Sequence, residues 1–405
     1  MRSQAADTLT AAGLARSMSL FYGASFLIIG VYGPYFPVWL KSQSLTPALV
    51  GLILSMPMFL RIVASPLTAF VADRIGNPRL MVQAMSVLTL LAFLAPIIIG
   101  GVPGFVILAA LNAIALPSLI PLAETFALAG VHRFGLDYGR MRMWGSILFV
   151  VANLLGGLAL ASFGASAILV WLIGASLLTL AVSLLLPGPD AGTSAETAAR
   201  LRFADVGALL TQPRYAALLA TAAAIQCSHG FLNSFASLTW QAQGISDGTI
   251  GVLWATGVVS EVILFAFARR SLARLGSTGL LILGGSAALL RWCVLGFDPP
   301  FWLLFPLQAL HGISFGATHL GAMHDLSRTV PQRLAATAQG LYAAATNGIA
   351  LGLVVLASGA LFSHTGVRTY WVMAVIAAVG LALAIRFRRT YPHNSGVGGS
   401  SNAPS

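Results

Sequence analysis

The chain has 405 residues, 58% of them hydrophobic and only 8% charged. A soluble domain carries about a quarter charged residues, so this chain lacks the charge to coat a water-exposed surface. Its net charge of +11 would suit a nucleic-acid partner in a soluble protein, but a mean hydropathy of +0.87 points instead to bilayer-spanning segments of about 20 residues each.

The polar start, Met1 to Ser17, precedes an apolar run too long for a signal-peptide core and without a cleavage site, so that run reads as the first span. Apolar segments fall at 17–40, 48–72, 80–100, 103–126, 141–163, 165–187, 214–241, 248–270, 278–297, 301–325, 334–362 and 366–386, predicting transmembrane helices 1 to 12. One long connection divides them six and six. The expected organisation is an N-terminal six-helix bundle over 1–187, a cytoplasmic linker over 188–213, a C-terminal six-helix bundle over 214–389 and a disordered tail over 390–405. The only cysteines, Cys227 and Cys293, both lie in apolar segments and form no disulfide framework.

Basic residues test the count. With the N-terminus in the cytoplasm, eighteen of the twenty-two fall at cytoplasmic ends and loops, and only Lys41 and Arg368 on the other side. Arg61 and Arg291 remain inside apolar segments. The basic excess is therefore a topology signal, and a nucleic-acid role falls away.

An internal repeat is visible by eye. Gly51 opens helix 2, Arg61 lies ten residues on, and Gly76 closes the turn Asp73-Arg74-Ile75-Gly76. Gly251, Glu261 and Gly276 occupy the matching places of helices 8 and 9 at an offset of 200. Such duplicated halves are typical of secondary transporters, with the site near the bilayer midplane between them.

Mid-membrane ionisable groups cost at least about 2.5–3.5 kcal/mol on insertion scales and mark candidate sites. Arg61, Glu261 and Arg291 qualify, and Glu261 and Arg291 are expected to couple as opposite charges on neighbouring helices. On helix 10, Gln308, His311, Ser314 and Thr318 form a polar stripe at near-helical spacing, with His311 suited to a proton relay. Gly312 and Gly316 make a small-residue packing face. Helix 1 carries Pro34 and Pro37 between Tyr32, Tyr35 and Trp39. The tyrosines are candidates to stack a ring substrate, while Trp39 fits an interfacial aromatic belt. No metal-binding spacing, Walker-type loop or nucleophile–base constellation is present, so neither cofactor, metal nor enzymatic activity is expected.

These residues resemble the major facilitator superfamily, and within it the lactose permease and phenylpropionate permease groups. The Asp73-Arg74-x-Gly76 turn is similar to the superfamily's conformational loop motif, with Ala69 at its leading glycine. Pro121-Leu122-Ala123-Glu124, followed eighteen residues later by Arg142, resembles the lactose permease segment whose Glu and Arg bind substrate. Arg291 and His311, twenty apart, match that group's helix-9 arginine and helix-10 histidine. Its helix-10 glutamate is Ser314 here, and its Lys–Asp pair becomes Gln308 and Asn233. The phrases from Trp254 to Glu261 and from His311 to His319 are most similar to the phenylpropionate permease group.

The resemblance implies an all-α polytopic protein of twelve helices in two pseudo-symmetric bundles, monomeric, in the inner membrane, with both termini cytoplasmic. It implies a proton-coupled symporter of a small organic carboxylate. Glu261, Arg291 and His311 are then candidates for proton coupling, and Arg61, Glu124, Arg142, Tyr32, Tyr35, Asn233 and Gln308 for substrate binding. Sugar or nucleoside symport, drug–proton antiport and a transporter-like membrane receptor are the alternatives.

Overall fold

The computed structural model describes residues 10–187 and 203–391. Most of the expected linker, most of the expected tail, Arg2, Arg200, Arg202 and the side chain of Asp73 lie outside the described residues.

Helices 1 to 6 are Ala11–Ser42, Pro47–Ile75, Pro78–Ile98, Gly101–Phe134, Tyr138–Phe163 and Ser166–Ser183. A short helix, Phe203–Leu210, lies within the segment expected to be linker. Helix 7 runs as Pro213–Cys227 and Gly230–Ala242, helix 8 as Asp247–Ala266, and helix 9 as Ala268–Leu295 with a kink at Gly276. Helix 10 comprises Phe301–Ala309, a π-helical turn Gly312–Ala317 and Thr318–Thr329. Helix 11 likewise carries a π segment, Ala344–Ala350, between Ala335–Ala343 and Leu351–Thr365, and helix 12 is Thr369–Thr390. Ten stretches are long and apolar enough to cross a membrane. One of them, Thr337–Thr390, holds two helices, and the interrupted helix 10 completes the twelve.

Local signals set the helix starts. Thr10, Thr46, Asn77, Asp137 and Ser246 each accept a backbone N–H from the first turn of helices 1, 2, 3, 5 and 8. Proline at the first position of helices 2, 3 and 7 presets the backbone where no N–H is needed.

The repeat markers acquire physical reasons. Gly76 and Gly276 both take positive φ, 63° and 64°, at the equivalent turns after helices 2 and 8. Gly51 packs on Gly359 of helix 11, where an added Cβ would lie 2.9 Å from the facing Cα. Gly251 packs on helix 5, where a Cβ would lie 2.7 Å from the carbonyl of Asn153. Helices 2 and 8 thus make equivalent seams, 2 against 11 and 8 against 5.

These seams join the bundles at the end away from the arginine-rich loops. There Tyr35 donates to the Asn153 carbonyl at 2.6 Å, and Ser237 of helix 7 donates to the Pro34 carbonyl of helix 1 at 2.6 Å. One apolar core spans both bundles at this end. At the basic end each bundle has its own core, around Met18 and Phe126 in one and Leu218 and Leu326 in the other. The cleft between the bundles therefore opens toward the basic end. Trp39 departs from the belt expectation: it is 4% exposed and packs on Phe36 and Phe105 inside the joined core.

Helix 5 reaches helix 8 at Gly157, where a Cβ would lie 2.5 Å from the Asp247 carbonyl and 2.8 Å from the Tyr35 hydroxyl. Overpacking costs about 1–3 kcal/mol, a roughly five- to hundredfold shift in population. A Gly157→Leu variant is expected to label faster by at least about fivefold at a cysteine placed at Ser237, in a Cys227→Ser, Cys293→Ser background, with an impermeant maleimide added from the closed end. Unchanged labelling would show that this seam does not hold the end shut.

Candidate functional site

Arg291 is completely buried on helix 9 and is surrounded by neutral groups. Its Nη2 donates to Gln308 Oε1 at 2.5 Å, and its Nη1 donates to Ser314 Oγ at 3.0 Å and lies 3.4 Å from His311 Nδ1. The guanidinium carbon is 4.8 Å from the Trp292 ring centre, and Nε is buried without a hydrogen-bond partner. Among the described residues no carboxylate comes within 4 Å of it.

His311 stands between Arg291 and Glu261. Its Nε2 is 3.8 Å from Glu261 Oε2, too long for a hydrogen bond. Because Nδ1 faces a guanidinium donor, the neutral ring carries its proton on Nε2, toward the carboxylate. Glu261 and Arg291 therefore make no direct contact, and the His311 ring lies between them. Helix 10 approaches helix 8 closely enough because Gly312 lacks a side chain; a Cβ there would lie 2.5 Å from the Ser260 carbonyl. Gly316 packs beside Glu261 on the same face.

The π turn from Gly312 to Ala317 re-aims the polar stripe. Gln308, His311 and Ser314 converge on Arg291, whereas Thr318 bonds the Ser314 carbonyl at 2.9 Å and packs on Gly284. Gln308 also reaches the Leu253 carbonyl at 3.5 Å and so does not form the expected amide pair with Asn233. Asn233 lies one turn after His229 on helix 7, partly buried.

His229 joins the network as a residue that spacing did not single out. Its Nδ1 donates to the Ile225 carbonyl at 3.2 Å, leaving Nε2 to accept from Ser314 Oγ at 3.0 Å. A continuous hydrogen-bonded line therefore runs Arg291–Ser314–His229. Its only sequence signal was a histidine inside an apolar segment.

In the N-terminal bundle, Glu124 accepts from the Tyr138 hydroxyl at 3.0 Å. Arg142 lies over the Phe26 and Tyr22 rings, 4.4 and 5.2 Å from their centres. Tyr138 adjoins both Glu124 and Arg142 and bridges a pair that makes no direct ion contact. Arg61 lies at the midpoint of helix 2. It donates to the Asn347 carbonyl in the π segment of helix 11, across the seam between bundles. Tyr32 stacks on Phe36 at 4.7 Å and packs edge-on to Phe93 at 5.9 Å within its own bundle. Tyr35 is committed to the closed seam. Tyr32 is partly buried, whereas Tyr35 is fully buried. Gly76 caps helix 2 as the loop motif requires, with Arg74 exposed beside it.

The MFS_1-like family profile matches residues 15–373. The chain is 29% identical over 378 residues to a probable 3-phenylpropionic acid transporter of Escherichia coli K12, covering 91% of this chain and 96% of that one. It is 28% identical over 369 residues to the maltose permease of Geobacillus stearothermophilus, covering 90% and 92%. Among solved structures, the nucleoside transporter NupG superposes with a TM-score of 0.80 at 16% identity, covering 94% of this chain and 99% of that one. A D-xylose–proton symporter superposes with a TM-score of 0.65 at 15% identity, covering 93% and 96%. With the profile spanning most of the sequence and twelve helices in paired bundles, the chain belongs to the MFS_1-like family of the major facilitator superfamily and is a multi-pass membrane transporter.

Proposed function

We propose that the protein is a proton-coupled symporter of a small aromatic carboxylate of the phenylpropionate type. It works by alternating access, with the basic end and both termini on the cytoplasmic side of the inner membrane. The observation that carries this reading is the buried Arg291, held by neutral partners and one histidine away from Glu261. A buried charge without a counter-charge is penalised by several kcal/mol. Glu261, acting through His311, is the resident anion. A substrate carboxylate that reaches Arg291 replaces it and forms charge-assisted hydrogen bonds. Glu261 then loses its compensation and accepts a proton. Anion and proton therefore favour each other's binding, as linkage requires of coupled sites.

Arg142, backed by Tyr22 and Phe26, supplies a second cation in the opposite bundle. The similarity to a probable 3-phenylpropionic acid transporter supports the substrate class. A one-to-one cycle of carboxylate and proton carries no net charge, so the pH gradient drives it and the membrane potential does not. Arg61 serves the seam with helix 11 in this conformation and becomes available to substrate only when that seam parts. A sugar substrate is the second reading, favoured by the hydrogen-bonding set Glu124–Tyr138–Arg142 and by the similarity to a maltose permease.

Proteoliposomes under an imposed pH gradient separate these readings. Labelled 3-phenylpropionate is expected to accumulate, with accumulation abolished by a protonophore. Gradient-driven maltose uptake without carboxylate uptake would favour the sugar reading, and tight binding without flux would favour a receptor. Glu261→Gln is expected to lose gradient-driven accumulation while retaining carboxylate exchange; accumulation by this variant would move the proton to another group. Arg291→Gln is expected to weaken carboxylate binding about 10- to 100-fold, the range of one charge-assisted hydrogen bond. Unaltered affinity would exclude Arg291 as the carboxylate ligand.

A further inference from the structure

A groove of about 920 Å³ lies on the outer flank of the N-terminal bundle, far from the cleft between bundles. Its floor is helix 1, where Ala12, Ala15, Ser19 and Gly23 leave a trough, and its walls come from helices 5 and 6. Large apolar side chains on its walls, among them Trp144 and Leu178, are about half exposed, as lipid-facing groups are. The groove is not part of the transport site. Helix 5 meets helix 8 through Asn153 and Gly157, and Arg142 rests on Tyr22 and Phe26, which lie off the Arg16–Gly23–Leu27 stripe.

Charge is confined to one end. Arg16 of helix 1 and Arg140 of helix 5 both line the groove at the basic end, beside Asp137. One carboxylate oxygen of Asp137 is committed to the Arg140 backbone N–H at 3.1 Å. Helices 1 and 5 both begin here, adding the positive ends of two helix dipoles to the two guanidinium groups. Asp137 supplies one negative charge against two guanidinium groups and two helix N-termini, so the mouth of the groove keeps a net positive character. An apolar trough with a cationic mouth, placed where headgroups meet the chain, matches the general pattern of basic pockets between transmembrane helices that hold anionic headgroups.

We propose that this groove binds one anionic phospholipid from the leaflet at the basic end. An acyl chain lies along helix 1 between helices 5 and 6, and the phosphate is held by Arg16 and Arg140. The site is distinct from the carboxylate and proton sites and does not depend on the transport reading.

Native mass spectrometry of the purified full chain, supplied with phosphatidylglycerol or phosphatidylcholine of identical acyl composition, tests this. The wild type is expected to retain one phosphatidylglycerol in preference to phosphatidylcholine. The Arg16→Gln, Arg140→Gln double variant is expected to lose roughly thirtyfold in retention, at about 1 kcal/mol for each basic residue near the surface. Gly23→Ala is expected to reduce retention by narrowing the trough; a Cβ there meets Leu148 at an ordinary 3.5 Å, so the bundle accommodates it. Arg269→Gln, Arg270→Gln, at an equally exposed basic turn of the other bundle, is expected to retain the lipid. Equal retention of both lipids, undiminished retention by the double variant or by Gly23→Ala, or an equal loss in the Arg269, Arg270 control would each overturn the proposal.

Discussion

The architecture of the C-terminal bundle turns on satisfying one fully buried guanidinium. Arg291 obtains its hydrogen bonds from Gln308, just before the π turn in helix 10, and from Ser314, within it. Gly312 lets helix 10 touch the helix 8 backbone, which brings His311 within 3.8 Å of Glu261. His229, anchored to its own helix, completes the hydrogen-bonded line through Ser314. Removing the arginine would leave this set of polar groups without the charge that organises it.

The second constraint is the pair of equivalent seams. Gly51 and Gly251 occupy matching places and each admits the backbone of the opposite bundle. The mid-helix groups ten residues further on have diverged. Arg61 bonds a helix 11 carbonyl across the seam, while Glu261 turns toward helix 10 of its own bundle. In the proposed cycle the first ties a conformation to a charge and the second ties a charge to a proton, so the duplicated position serves gating in one half and coupling in the other.

Much of this was legible in the sequence, for identifiable reasons. Membrane spans follow from hydropathy because lipid forces every backbone group into a helix, and the repeat followed from glycines that only a close approach or a positive φ requires. The polar stripe of helix 10 and the kinship of Arg291 with His311 are readable from spacing and resemblance, whereas the bond from Arg291 to Gln308 is not, since resemblance pairs Gln308 with Asn233. Other features escaped because they depend on contacts between helices. No spacing shows that His311 stands between Glu261 and Arg291, that Tyr138 bridges Glu124 and Arg142, or that Arg61 binds a backbone carbonyl. Trp39 reads as an interfacial residue because an aromatic near a helix end looks the same whether it meets headgroups or packs on Phe36 and Phe105 in the core. The two π segments carry no simple sequence mark, and Ser314 and Asn347 take their roles from them.

The central claim is that a carboxylate at Arg291 releases Glu261 to take a proton. Calorimetric titration of the purified protein with 3-phenylpropionate, in buffers of differing ionisation enthalpy, counts protons taken up on binding. The account predicts uptake of about one proton per carboxylate in the wild type, as linkage of one site to another requires, and none in Glu261→Gln. Carboxylate binding with no proton uptake in the wild type would contradict it.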